Sequence, residues 1–331
     1  MTKIFITLDY ELFFGKKSGS VENCIIIPTE KLISILNTKN IKASFFVDSG
    51  YLLKLEELMD DFPVLKKDYN KITFQLRSLS NEGHDLQLHI HPHWEDSYFD
   101  GKKWIFNTSR YRISSFNQNE IEEIVRKHKL IIQKFAKNKV FAFRAGGWCI
   151  QPFYKLKKAF IKNNIWLDST VFKNGKNSTK THYYDFVGAP EKSIWKFDED
   201  PLVETKQGFF TEIPISSVKV SPLFFWFFAF FKKFGGKYHK SFGDGVATQG
   251  TLYEKFRKLL WYSNSVVSID GFKSILIKRA YKNYTKKNKE NFVLIGHPKA
   301  LSEYSLNILN KFINQKKLNF TTYSNFYKNE N

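Results

Sequence analysis

The stretch Gly83–Trp94, GHDLQLHIHPHW, puts three of the chain's eight histidines within five residues. Its first part, HDLQLHI (84–90), reads as a strand, and Pro92 stops any regular strand beyond it. The imidazoles therefore gather where a strand ends. Imidazole is the commonest side-chain metal ligand, so the cluster is either a cation site or an accident of a surface loop. If the chain turns into a helical start at Pro92, His89 and His93 can converge on one ion. His89 and His91, neighbours on one strand face, are the alternative pair.

Similar runs flank this one. KIFITL (3–8), IKASFFV (41–47), KVFAFRAGG (139–147) and IWLDSTV (165–171) read as strands, as does NFVLIG before His297. Between them, PTEKLISILNTKN places Leu32, Ile33, Ile35 and Leu36 at helical spacing after Pro28. NQNEIEEIVRKHKLIIQKF opens with Asn117 and Glu120 in capping-box positions, and QPFYKLKKAFIKNN continues the rhythm as a further helix. Repeated βα units predict parallel strands with helices outside, as an open sheet or a barrel. In such folds chemistry collects at the C-terminal strand ends, which here carry Asp9, Glu11, Asp48, His89 to His93, Arg144, Asp168 and His297.

Two segments break the rhythm. Residues 95–113 carry an Asp-Gly turn signal between aromatic-rich arms, which predicts a hairpin beside the histidines. Residues from about 172 to 290 are long and irregular and are expected to cap the strand ends of a single domain spanning 1–331. His84 reads as part of a strand start, His128 as a core histidine on an apolar helix stripe, and Cys149 as a packed thiol.

With 42% hydrophobic and 25% charged residues the chain is a folded globular protein and not a disordered one. A net charge of +20 favours anionic partners, although Lys, Asn, Ile, Phe and Tyr are abundant throughout. Only Cys24 and Cys149 occur, so a disulfide framework is not expected. MTKIFITLDYEL enters a strand without a signal-peptide pattern, and a cytoplasmic location is the expectation.

Five motifs in order resemble those of polysaccharide deacetylases of the NodB-homology type, carbohydrate esterase family four: TLDYE (7–11), GHDLQLHIHPH (83–93), FRAGGW (143–148), WLDST (166–170) and LIGHP (294–298). The resemblance implies an α/β fold, a distorted (β/α) barrel of about seven parallel strands, with the 172–290 segment as a long insertion. It also implies a divalent metal such as Zn²⁺ held by His89, His93 and Glu11. Glu11 stands where the family has aspartate. Asp9 would be the base, Arg144 would hold it, His297 would be the general acid and Asp168 would orient His297. Gly146, Gly147, Trp148 and His91 would face the substrate, with the glycines allowing close backbone approach. The implied activity is removal of an N-acyl group, an N-acetyl in the first instance, from an amino sugar during surface-polysaccharide biosynthesis, on a saccharide that could be lipid-linked. A glycan-binding protein with this fold and no activity is the alternative, and no motif supports nucleic-acid binding.

A last feature lies outside these motifs. SPLFFWFFAFFKKFGGKYHK (221–240) holds nine consecutive apolar residues, Leu223 to Phe231, followed at once by lysines. That run is too short to span a bilayer but suits an anchor at an anionic membrane surface through 223–240; packing into the cap or a dimer contact is the alternative.

Overall fold

In the computed structural model, residues 1–248 and 252–330 are described, and they form two compact units. One comprises Met1–Lys42 and Ile215–Thr321, the other Ala43–Pro214 and Thr322–Asn331. The 172–290 segment is thus divided at Pro214 between the two.

In the first unit, the strand Lys3–Tyr10 runs parallel to Asn291–Gly296 on one side and to Asn319–Thr321 on the other. KIFITLDY is almost wholly buried, as strands covered on both faces are. The register pairs Leu8 with Gly296, so Asp9 and His297 leave neighbouring strands at the same level. A short antiparallel ladder joins Ser217–Val220 to Ser263–Val266.

In the second unit, Ser44–Asp48, Asp85–Ile90, Ala142–Ala145, Leu167–Asp168 and Phe210–Glu212 form a parallel ladder in that order. Trp195–Phe197 adds an antiparallel edge. The helix Gln118–Gln133 begins with the expected capping box, Asn117 and Glu120 bonding each other's backbone N–H groups. Its inner face buries Ile121, Ile124, Val125, Ile131 and Ile132. The helices Ile27–Asn37 and Tyr154–Lys162 also fall where the periodicity predicts them. The expected hairpin exists in small form, Tyr98–Phe99 against Trp104–Ile105 across Asp100-Gly101, with Gly101 at φ +91°. Two helices, Ser49–Leu58 and Pro63–Asn81, fill the connection between the second and third strand motifs. The 172–290 segment is more regular than its sequence suggests, with the helices Pro222–Phe234 and Ile277–Lys286 among its elements.

Candidate active site

In the first unit, Asp9, Glu11 and His297 come together at the strand ends. His297 Nε2 lies 3.6 Å from Asp9 Oδ2 and 3.8 Å from Glu11 Oε1. Its other nitrogen, Nδ1, is 2.8 Å from Asp270 Oδ2, and its backbone N–H donates to Asp270 Oδ1 at 2.8 Å. Burial by itself would lower the imidazole's pKa, but Asp270, Asp9 and Glu11 outweigh it and hold His297 above its ordinary value. Asp270 is held below its own ordinary value because the His297 bonds overcome its burial.

Asp270 was not among the residues expected from sequence, where orientation of His297 fell to Asp168. The structure gives Nδ1 of His297 to Asp270. Asp168 instead accepts from Thr170 N and Oγ1, bracing the turn after its strand, and is hydrogen-bonded to the Glu212 carboxyl on the adjacent strand. Lys299, also unforeseen, is buried and donates to Glu11 Oε1 at 2.8 Å and to the Leu12 carbonyl. Its ammonium lies over the Phe13 and Phe14 rings at 4.9 and 5.1 Å.

In the second unit, the strand Asp85–Ile90 delivers His89 and His91 to one face, since side chains two apart point the same way. The 3₁₀ turn Pro92–Asp96 starts at Pro92 and carries His93. All three rings are buried, with centroids 4.7 Å apart for His89 and His91 and 5.4 Å for His91 and His93. His89 Nδ1 donates to the Arg144 carbonyl at 2.8 Å. That bond fixes the tautomer and leaves Nε2 as the lone-pair nitrogen, the arrangement metal-binding histidines use. A ligand nitrogen of His91 lies within 4.8 Å of one on His89, close enough for both to share an ion. His93 stacks on Tyr111 at 5.4 Å and 7°, and Tyr111 Oη is 3.4 Å from His91 Nδ1. Tyr111 comes from an irregular polar stretch with no periodicity to mark it. The residues suit a divalent cation in kind, being buried imidazoles with at least one held as a neutral acceptor.

Arg144 is fully buried; its Nε donates to the Ser169 carbonyl and its Nη2 to Ser169 Oγ, with the guanidinium 4.1 Å over the Phe46 ring. The turn Gly146–Trp148 follows at once. A Cβ on Gly146 would sit 2.6 Å from both His91 Nδ1 and the Ile90 carbonyl oxygen, so the backbone approach this glycine permits is to the histidine strand. Gly147 has φ +58°, and a Cβ there would meet His182 Nε2 and Tyr111. Trp148 packs edge-on to Phe172 and Tyr184.

The remaining candidates are structural. His84 Nδ1 accepts from Ala43 N at the start of its strand. His128, wholly buried, is bonded by Ser49 Oγ and Glu95. Asp48 accepts from the Trp94 indole at 2.7 Å. Burial pushes the Cys24 thiol up to about 11 and that of Cys149 up to about 12, so both are unreactive packed thiols.

A Mycobacterium smegmatis protein assigned as a polysaccharide deacetylase has a similar structure, with a TM-score of 0.55 at 14% identity, the match covering 99% of this chain and 89% of that one. The fold is that of the polysaccharide deacetylases. It is the α/β, (β/α)-barrel type with parallel strands that the motifs imply. Two further structures are more distant: a peptidoglycan N-acetylglucosamine deacetylase (TM-score 0.42, 13% identity, 97% of this chain and 86% of that one) and a pseudoenzyme of carbohydrate esterase family four from Bacillus anthracis (0.41, 10%, 97% and 64%). No family model matches the sequence, and no curated protein matches it.

Proposed function

We propose that this chain is a metal-dependent hydrolase that removes an N-acyl group from an amino sugar. The observation that carries the reading is His297, raised in pKa, fixed through Nδ1 by Asp270 and presenting Nε2 to Asp9. A carboxylate and a protonated imidazole set side by side at strand ends form a base and an acid for one reaction.

In this reading His89, His93 and Glu11 hold the metal, with His91 as the other candidate ligand. A divalent cation there, Zn²⁺ by the chemistry of the donors, would polarise the acyl carbonyl and lower the pKa of a bound water. Asp9 takes the proton of the attacking water, and Arg144 is the arginine assigned to hold Asp9. His297 donates its Nε2 proton to the departing amine, which without it is a far worse leaving group than hydroxide. Asp270 accepts the Nδ1–H, fixes the ring's orientation and by its charge favours the doubly protonated imidazolium, the form that carries the Nε2 proton to be given. Gly146, Gly147 and Trp148 border the substrate in the same reading. The substrate class is an acylated amino-sugar saccharide of surface-polysaccharide assembly, carried on a lipid and handled at the cytoplasmic face. The basic charge and the aromatic helix support that setting.

A second reading, a glycan-binding protein without turnover, is favoured by one contact. Lys299 already occupies Glu11 with a buried ion pair, at the position where the family's pattern has a ligand aspartate. Elemental analysis and acetate release from N-acetylated amino sugars separate the two. The hydrolase should carry about one metal ion per chain, lose it in the His89→Ala/His93→Ala double variant, and keep it while losing turnover in Asp9→Asn. Metal retained by the double variant would remove the ligand assignment. A wild-type protein that takes up no metal and releases no acetate would leave the binding reading.

A further inference from the structure

The helix Pro222–Phe234, PLFFWFFAFFKKF, is apolar on both faces. Its inner face is used: Phe224 and Phe231 stack on Phe272 at 5.6 and 4.9 Å. The opposite stripe is not. Leu223, Trp226, Phe227, Phe230 and Phe234 follow i, i+3, i+4, i+7 spacing and are 49–63% exposed, and no residue of the helix is buried. Trp226 Nε1 donates to the Leu259 carbonyl and ties the helix to Leu252–Leu260. From that neighbour and the residues after it, Phe256, Trp261 and Tyr262 add a further 61–66% exposed aromatic surface. Helices apolar all round are found buried in protein or in lipid, and exposed patches of this kind mark an interaction site.

The charge around the stripe selects the partner. Lys232 and Lys233 close the last turn of the helix. Lys219 places its ammonium 5.1 Å from the centre of the Tyr262 ring, and Arg279 donates to the Lys219 carbonyl. Residues 215–289 hold fifteen Lys and Arg against three Asp and Glu. A second copy of the chain would press these like charges together, whereas an anionic lipid surface neutralises them and accepts the aromatic stripe beneath the headgroups. Thirteen residues make a helix about 20 Å long, short of the hydrocarbon core. Among the described residues no helix is long and apolar enough to cross a membrane.

We propose that the Pro222–Phe234 helix, with Phe256, Trp261 and Tyr262, docks flat onto an anionic bilayer, aromatic side chains inserted and lysines at the phosphates. The docking is independent of the proposed hydrolase, and its test reads binding rather than turnover.

Flotation of the full chain with phosphatidylcholine vesicles, with or without roughly a third phosphatidylglycerol, is the experiment. The protein should float with the anionic vesicles, remain in solution with the neutral ones, and be released by high salt. Phe227→Ser/Phe230→Ser should lower partitioning roughly tenfold with the circular dichroism spectrum unchanged, and Lys232→Glu/Lys233→Glu should do so without altering the apolar stripe. Absence of flotation with anionic vesicles would overturn the proposal, as would equal flotation of wild type and both variants. So would a wild-type dimer that the Phe variant turns into a monomer, because the stripe would then be covered by a second copy. Release from the vesicles by added nucleic acid but not by salt would assign the surface to that polymer instead.

Discussion

Asp168 and Glu212 are register partners on adjacent parallel strands, fully buried and hydrogen-bonded to each other. Two carboxylates cannot both ionise there. Burial first, and then the neighbouring Asp168 charge, hold Glu212 well above its ordinary value of 4.5, while Arg144 eases both groups downward without reversing the shift. The folded state therefore keeps a proton that the unfolded chain releases above about pH 4.5. Because the folded form binds more protons, stability falls as pH rises from there toward the raised pKa, by at most about 1.4 kcal/mol per pH unit. Glu212→Gln supplies the same donor to Asp168 without a proton to lose, and should flatten that slope. Urea unfolding of both proteins at about pH 5 and about pH 7 checks it; parallel losses in the two would mean no shared proton. The pair also shows what single residues disclose. Asp9, His89, Arg144 and His297 stood out as candidates because each follows or ends an apolar run, and His93 because it lies just past the strand-stopping Pro92 beside two other histidines. Glu212 ends a three-residue strand, and Asp270 follows only the short, serine-interrupted run Val266–Ile269 inside the irregular 172–290 segment, so both signals were weak.

Among the elements, the turn Gly146–Trp148 bears most directly on the histidine strand. A methyl on Gly146 meets the Ile90 carbonyl oxygen, which a paired strand cannot move, and His91 Nδ1, which can rotate away only by leaving its place beside His89. Gly146→Ala should therefore displace His91 and destabilise the protein by about 1–3 kcal/mol. A lowered melting temperature together with altered metal content would support this, and a variant matching wild type in both would show that the turn has slack. The tight turn was visible in AGGW, but its neighbour was not, because glycine spacing says only that something comes close. The helix Gln118–Gln133 was fully legible, since its capping box and apolar stripe are local codes. The helices Ser49–Leu58 and Pro63–Asn81 were harder to place. The first has no side-chain cap and follows Asp48, whose carboxylate is spent on Trp94, so tertiary contacts set its start.

At the scale of the whole molecule, a net charge of +20 repels any cation, so metal can be held only by specific ligands and not by the protein's general field. A ligand that binds the folded form alone stabilises it by RT ln(1 + [L]/Kd), about 2.7 kcal/mol at a hundredfold excess over Kd. The imidazoles of His89, His91 and His93 are pre-packed by Tyr111, Trp94 and the Arg144 carbonyl, and little ordering remains to offset that gain. Chelation should accordingly lower the melting temperature of the wild-type chain by several degrees, and added Zn²⁺ should restore it. The His89→Ala/His93→Ala variant should melt at one temperature in chelator and in Zn²⁺. If wild type also ignores both, the imidazole cluster is packing, and the acid–base pair of His297 and Asp9 would have to act on its substrate without a metal.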